Sequence, residues 1–259
     1  GRHTGGSRSC RRRFAMASGV AGAAATAGID KDIQPALLEE YRSSKSHDVV
    51  LRALESVAIP ESMRKNVRSR GSREPVLSMC LGMTECHWRG PMPSRATRER
   101  PHLVQLLCAF ARWELPGFTF TSIQVNKDYA SAMHVDKNDA GASYIIGLGD
   151  YEGGQLWVDE GYGEGSIVDL RGNWHLLDGN LPHCVLPFKG RRYTVIFFSR
   201  VRGGDVGEDP GSEFARRLLR LGFPLPPRAP VAKDYPPAEE RLAAAEERFE
   251  RFRACAEKR

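Results

Sequence analysis

Nowhere in the 259 residues does an apolar run approach the about 18 residues that a membrane-spanning helix needs, so no such helix is expected. Metal-binding cysteine patterns are missing as well. The six cysteines, at 10, 80, 86, 108, 184 and 255, contain no CxxC pair, and Cys80, Cys86 and His87 lack a second pair of ligands, which excludes a zinc knuckle. Scattered cysteines point instead to free thiols in a reducing, intracellular compartment. Gly147, Gly149, Gly153 and Gly154 do not make a GxGxxG cradle for phosphate and are read as turn or bulge glycines. Residues 1–29 contain no acid at all.

That last absence accounts for most of the formal net charge of +6, because Arg2, Arg8, Arg11, Arg12 and Arg13 stand in the first thirteen residues. Residues 1–29, rich in Arg, Ser, Gly and Ala, fit an organelle-targeting leader or a disordered segment, with Met16 as an expected start. The span 117–200 has the opposite balance, with seven Lys/Arg against ten Asp/Glu. A basic band lies between them, from Glu61 to Leu115, with ten Lys/Arg against five acids. Net charge alone therefore does not imply a nucleic-acid partner, but the band leaves one open.

The pattern along the chain predicts a mainly β fold with flanking helices. Residues 30–116 are expected to form a helical and irregular support. PALLEEY and VVLRALESVA read as helices, the Pro- and Gly-punctuated stretch from Arg64 to Pro101 as irregular, and HLVQLLCAFARWEL as a helix with Leu103, Leu106, Leu107, Phe110 and Trp113 on its core face. Residues 117–200 hold eight short β-type runs: GFTFTSIQV, YASAMHVD, SYIIGLG, QLWVD, SIVDL, WHLLD, LPHCVLP and RRYTVIFFS. Eight such strands suit a double-stranded β-helix, or jelly roll, with a site at its mouth. Residues 201–259 comprise a Pro-rich linker and helices, EFARRLLRLGF and a last one with Leu242, Ala245, Phe249 and Phe252 on one stripe.

Chemistry concentrates in His134-Val-Asp136. Two residues apart on a strand, imidazole and carboxylate share a face, whereas a helix would set them about 200° apart. Two imidazoles and one carboxylate leave half of a divalent iron's coordination open. The second imidazole has two candidates, His175 and His183. His183 is preferred because Arg192 follows nine residues later, after Pro187 and a Lys189-Gly190 turn, with Thr194 on the same strand face. A rigid fork of N–H donors beside a hydroxyl suits a carboxylate, as a dicarboxylate chelating the iron requires. Arg191 faces the other way and is read as solvated, and Cys184 as a buried thiol. Gln124 and Asn126, on the preceding strand, are candidate cofactor or substrate contacts, although Asn126-Lys127-Asp128 also reads as a plain turn.

The H-x-D, the distal His and the basic residue about ten positions on, with a hydroxyl two further, resemble the pattern of Fe(II)/2-oxoglutarate-dependent dioxygenases. The resemblance covers roughly residues 117–200. QVNKDYASAMHVDKND with GDYEGGQLWV resembles the TET/JBP-type nucleobase hydroxylases, and the GRRY ending resembles prolyl hydroxylases. Many of the latter carry a Tyr ten residues before the first ligand, where this chain has Gln124. The resemblance implies iron on His134, Asp136 and His183, and 2-oxoglutarate chelating it with its far carboxylate on Arg192 and Thr194. It further implies O2 as co-substrate and hydroxylation of a C–H bond on a nucleobase, a prolyl or other protein side chain, or a small molecule. A cupin-like barrel that holds metal without catalysis is the alternative, and it has no need of the Arg192–Thr194 pair.

Overall fold

The computed structural model describes residues 31–64, 66–68, 71–86, 90–136, 139–200, 209, 211–228 and 233–256. The expected leader, Met16, Cys10 and His87 lie outside these residues, as do Lys65, Arg70 and Arg89 of the basic band. The described strands are β1 (Leu77–Cys86), β2 (Gly90–Pro93), β3 (Ser122–Lys127), β4 (Asp139–Leu148), β5 (Tyr151–Gly153), β6 (Leu156–Val158), β7 (Ser166–Val168), β8 (His175–Leu177), β9 (His183–Val185), β10 (Phe188–Gly190) and β11 (Tyr193–Arg200). The described helices are α1 (Pro35–Ser44), α2 (His47–Glu55), α3 (Arg95–Glu99), α4 (Pro101–Glu114), α5 (Glu213–Arg220) and α6 (Ala238–Ala256). No described helix is long and apolar enough to cross a membrane.

Strands pair antiparallel throughout, in a six-stranded sheet of order β2-β1-β3-β11-β4-β8, a three-stranded sheet β7-β6-β9 and a pair β10-β5. Alternation along β11 explains how the layers stack. Tyr193, Val195 and Phe197 turn to one side and join Ile123, Val125, Leu103, Leu107 and Phe110 in the main apolar core, which α1, α2 and α4 cover. Ile196 turns to the other side and packs with Ile145, Leu156, Val158 and Leu177, which tie the large sheet to the three-stranded one. A strand buried on both faces reads as an almost unbroken apolar run, as RRYTVIFFS does.

Four expectations need correction. The stretch from Arg64 to Pro101 is not irregular: it supplies β1, β2 and α3, so the large sheet takes strands from outside 117–200. Its glycines and prolines misled the reading, yet Gly82 (φ 86°) allows β1 to pass close to Phe223, and Pro91 and Pro93 lie in an edge strand where a missing N–H costs little. YASAMHVD is extended but is not a strand. Its backbone hydrogen bonds go to separate partners, Ala132 to Val67, His134 to His183 and Asp136 to Gly179, so no ladder propagates and only the His134–His183 bridge forms. Lys189-Gly190 is not a turn but the end of β10, paired with Glu152 and Tyr151 of β5. Trp113, expected on the core face of α4, is 60% exposed, whereas Leu103, Leu106, Leu107 and Phe110 are fully buried.

Helix α6 packs back on the core. Ala245, Phe249 and Phe252 meet Trp157 and Cys184, with the Trp157 and Phe249 rings 5.0 Å apart. One ion pair fastens it: Asp159, 2% exposed, accepts from Arg248 Nε at 2.7 Å and from Nη2 at 2.6 Å. Breaking a buried pair from one side strands the other charge. Arg248→Met is therefore expected to cost about 3 kcal/mol of unfolding free energy, and adding Asp159→Asn should restore most of it. Denaturant titration checks both, and a double variant as unstable as the single would show that the stem packing, not the charge, is what counts.

Candidate metal centre

His134 and His183 are 49 positions apart in sequence yet directly opposite each other in space. Each donates its backbone N–H to the other's carbonyl at 3.0 Å, and the imidazoles of such a pair emerge on one side, here with ring centroids 4.3 Å apart. Asp136 completes the group, with Oδ1 4.0 Å from His134 Nε2 and Oδ2 3.9 Å from His183 Nε2. Among the described residues this is the one His/Cys/Asp/Glu cluster that could hold a metal ion, its ligand atoms all lying within 4.8 Å of one another. His175 starts β8, opposite Ile145, and is not part of it.

Hydrogen bonding fixes which nitrogens face the centre. His134 Nδ1 lies 2.8 Å from the Ala132 carbonyl and His183 Nδ1 2.8 Å from that of Leu181. A carbonyl can only accept, so both Nδ1 atoms carry the proton and both Nε2 atoms present lone pairs toward Asp136. Burial, reinforced by the neighbouring His183, pushes the His134 pKa down to about 4, so at neutral pH its imidazole is uncharged and ready to ligate. Burial alone would raise the Asp136 pKa, but His134, His183 and Arg64 outweigh it and hold the carboxyl ionised. Two imidazoles that face the centre through Nε2 and a carboxylate form a donor set that suits Fe(II).

Arg64 and Asp139 are additions that the sequence did not single out. Arg64 Nη2 donates to Asp136 Oδ1 at 2.7 Å, leaving Oδ2 free. Nothing in the sequence links two residues 72 positions apart, neither of them in a strand or helix. Hydrogen bonds to a ligand carboxylate orient it, and losing one typically weakens metal binding about 10–100-fold. Arg64→Met should therefore lower divalent-metal affinity by that order, as calorimetric titration would read. Asp139, opposite Arg200 at the start of β4, is pushed up to about 8 by burial and by the Asp136 charge.

The triad lines a cavity of about 650 Å³ that also takes in Gln124, Asn126, Arg192, Thr194 and Arg200. Arg192 is 2% exposed, boxed between the Tyr151 and Phe188 rings at 5.4 and 5.5 Å; the Tyr151 hydroxyl acts on it, but among the described residues no acceptor meets its Nε or Nη2 at full hydrogen-bond geometry. Its backbone is pinned by Asp128, which donates its N–H to the Arg192 carbonyl and accepts the Arg192 N–H on Oδ1, both at 2.8 Å. Gly154, at φ 70°, gives the guanidinium room, since a Cβ there would lie 2.9 Å from Nε. Thr194 Oγ1 accepts from Asn126 Nδ2 at 3.1 Å, and Asn126 Oδ1 accepts from Gln124 Nε2 at 3.1 Å, so the Thr194 proton is left to donate into the cavity. Arg191 points outward to Glu55 at 2.9 Å, and Cys184 is buried, its thiol pushed up to about 12 by burial.

The basic band is partly neutralised from within. Arg64 is on Asp136, Arg68 on Glu61, and Arg95 and Arg100 both on Glu99. Cys80, Cys108, Cys184 and Cys255 are free thiols.

No protein-family model and no curated protein matches the chain. Solved structures similar to it include an oxidoreductase of the 2OG-Fe(II) oxygenase family from Burkholderia pseudomallei, with 16% identity over 65% of this chain and 94% of that one and a TM-score of 0.45. NgTET1 in complex with 5mC DNA has 13% identity over 65% of this chain and 69% of that one, at a TM-score of 0.36. A prolyl-4-hydroxylase from Pseudomonas putida has 15% identity over 65% and 88%, also at 0.36. Overlaps this slight carry no assignment of activity, which has to come from the side chains of this chain.

Proposed function

We propose that the chain is an Fe(II)- and 2-oxoglutarate-dependent dioxygenase, built on a double-stranded β-helix core, that hydroxylates a C–H bond. One observation carries this reading beyond simple metal binding. A guanidinium cannot shed its charge at any ordinary pH, and burying it with two open donors is costly unless an anion meets them. Arg192 is such a group, in the cavity that holds the triad. A metal-storing barrel has no use for it.

His134, Asp136 and His183 would hold the iron through two Nε2 atoms and a carboxylate oxygen. 2-Oxoglutarate would rest its distal carboxylate on Arg192 and Thr194, accepting from both, with Asn126 and Gln124 keeping the Thr194 hydroxyl aimed. Iron with 2-oxoglutarate and O2 supplies an oxidant strong enough for an unactivated C–H bond, and the protein supplies binding, orientation and exclusion of side reactions. Tyr151 and Phe188 keep water off the guanidinium, which strengthens its attraction for a carboxylate. Nδ1–H bonds to Ala132 and Leu181 prevent either imidazole from turning away.

Measuring 2-oxoglutarate consumption with iron, ascorbate and O2, against an Asp136→Ala background, tests the reading. Consumption above that background is the expected result. Iron binding with neither binding nor consumption of 2-oxoglutarate would favour the cupin-like barrel instead.

A further inference from the structure

Cavity-facing residues run Arg192, just before β11, and then Thr194, Ile196, Phe198 and Arg200 along it, alternate positions on one face. The row thus has an arginine at each end, separated by eight residues, or roughly 25 Å of strand. Only the Arg192 end is needed for 2-oxoglutarate. Arg200 has a different neighbourhood: its charge acts on Cys80 and Asp139, whereas that of Arg192 acts on Tyr151.

Arg200 is also poorly satisfied. Among the described residues, its Nε is buried without a hydrogen-bond partner, its Nη2 reaches only the Cys80 thiol at 3.9 Å, and its guanidinium lies 5.3 Å from the centre of the Phe198 ring. A thiol is a weak acceptor and an aromatic face only a partial one. Among the described residues no carboxylate lies within ion-pair distance of Arg200, although Asp139 stands opposite it across the strands.

The charge of the loaded cavity points the same way. Three guanidinium groups, on Arg64, Arg192 and Arg200, face two carboxyls, on Asp136 and Asp139. A divalent ion and a dicarboxylate cancel each other, so the loaded cavity as a whole keeps a positive excess. Low-dielectric surroundings make such an excess attractive to an anion.

We propose that the Arg200 end of the cavity, beside the Cys80 thiol and the Phe198 ring, binds an oxyanion of the molecule that is oxidised, which makes the substrate a small carboxylic or phosphoric acid. This rests on the dioxygenase reading and adds the substrate class to it. A small acid fits better than a polymer because Arg200 lines the same cavity as His134, Asp136 and His183, so the oxyanion has to enter that cavity.

Trifluoroacetate, followed by 19F line broadening, is a suitable probe on full-length protein loaded with Zn(II) and saturating 2-oxoglutarate. Wild type should broaden the signal, acetate and inorganic phosphate should reverse the broadening, and Arg200→Gln should weaken binding by about tenfold or more, as expected for a lost charge-assisted contact. Arg200→Lys should bind at an intermediate level, which keeps the test valid if the glutamine variant misfolds. Arg191→Gln should match wild type. Equal broadening by wild type and Arg200→Gln, or no broadening once 2-oxoglutarate saturates the protein, would overturn the proposal. Displacement by a short oligonucleotide or an acidic peptide, but not by acetate or phosphate, would overturn the small-acid assignment. If the dioxygenase reading itself is wrong, 2-oxoglutarate fails to bind the Zn(II) protein in the first place, a separate result.

Discussion

Replacing His134, Asp136 or His183 with alanine is expected to lower divalent-metal affinity by more than about 100-fold, beyond what loss of an outer hydrogen bond costs. Consumption of 2-oxoglutarate should vanish with it. Each residue supplies one of three ligand atoms that already converge within 4.8 Å, and no fourth His, Cys, Asp or Glu joins the group among the described residues. His175→Ala is the informative control. His175 lies on β8, opposite Ile145, and should bind metal as wild type does. The three triad variants should remain folded, since their side chains sit at the cavity rather than in the main apolar core. Metal titration by calorimetry, with circular dichroism as a folding check, decides the matter. Loss of affinity in His175→Ala with retention in His183→Ala would move the third ligand and leave the proposed co-substrate position without a basis.

Much of this centre was legible because its information is local. The two-residue spacing of His134 and Asp136, and the even spacing of Arg192 and Thr194, translate directly into shared faces when the chain is extended. The same rule places Arg200 on the Arg192 face, a signal present in the sequence and passed over. By contrast, Arg64 reaches Asp136 across 72 positions of sequence, and nothing short of the folded chain brings them together. Turn chemistry explains other misses. Gly154 lies between β5 and β6 as expected, whereas Gly147 and Gly153 are paired inside β4 and β5; the purpose of Gly153 and Gly154, close approach of the Pro187 carbonyl and room for the Arg192 side chain, depends on partners more than thirty residues away. Asn126-Lys127-Asp128 read as a turn is half right: Lys127 still pairs in β3, and Asp128, at φ 46°, holds the Arg192 backbone. Strand β1 was missed because its glycine and the prolines of its edge neighbour resemble loop punctuation, while its pairing with β3 is a non-local property.

Arg192→Ala should leave metal binding intact and raise the 2-oxoglutarate requirement steeply. The guanidinium is 2% exposed and, among the described residues, no acceptor meets its Nε or Nη2 at full hydrogen-bond geometry, so a carboxylate meeting it forms a charge-assisted contact out of solvent. Removing one partner of a buried charged pair costs about 2–5 kcal/mol, which at about 1.4 kcal/mol per tenfold is roughly thirtyfold or more in apparent affinity. Arg192→Lys should recover little of it, because an ammonium lacks the planar fork and the stacking against Tyr151 and Phe188. Thr194→Val, which removes the hydroxyl that Asn126 orients, should have a smaller effect of about 1–3 kcal/mol, by leaving the carboxylate one donor short. Arg191→Ala provides the contrast, since its partner is Glu55 on the outside of the fold. Iron affinity measured alongside separates the two functions: a variant that loses both metal and 2-oxoglutarate has disturbed the cavity as a whole, whereas loss of 2-oxoglutarate alone isolates the carboxylate receptor. Equal losses in Arg191→Ala and Arg192→Ala would mean that the buried guanidinium serves packing between β5 and β10 rather than an anion.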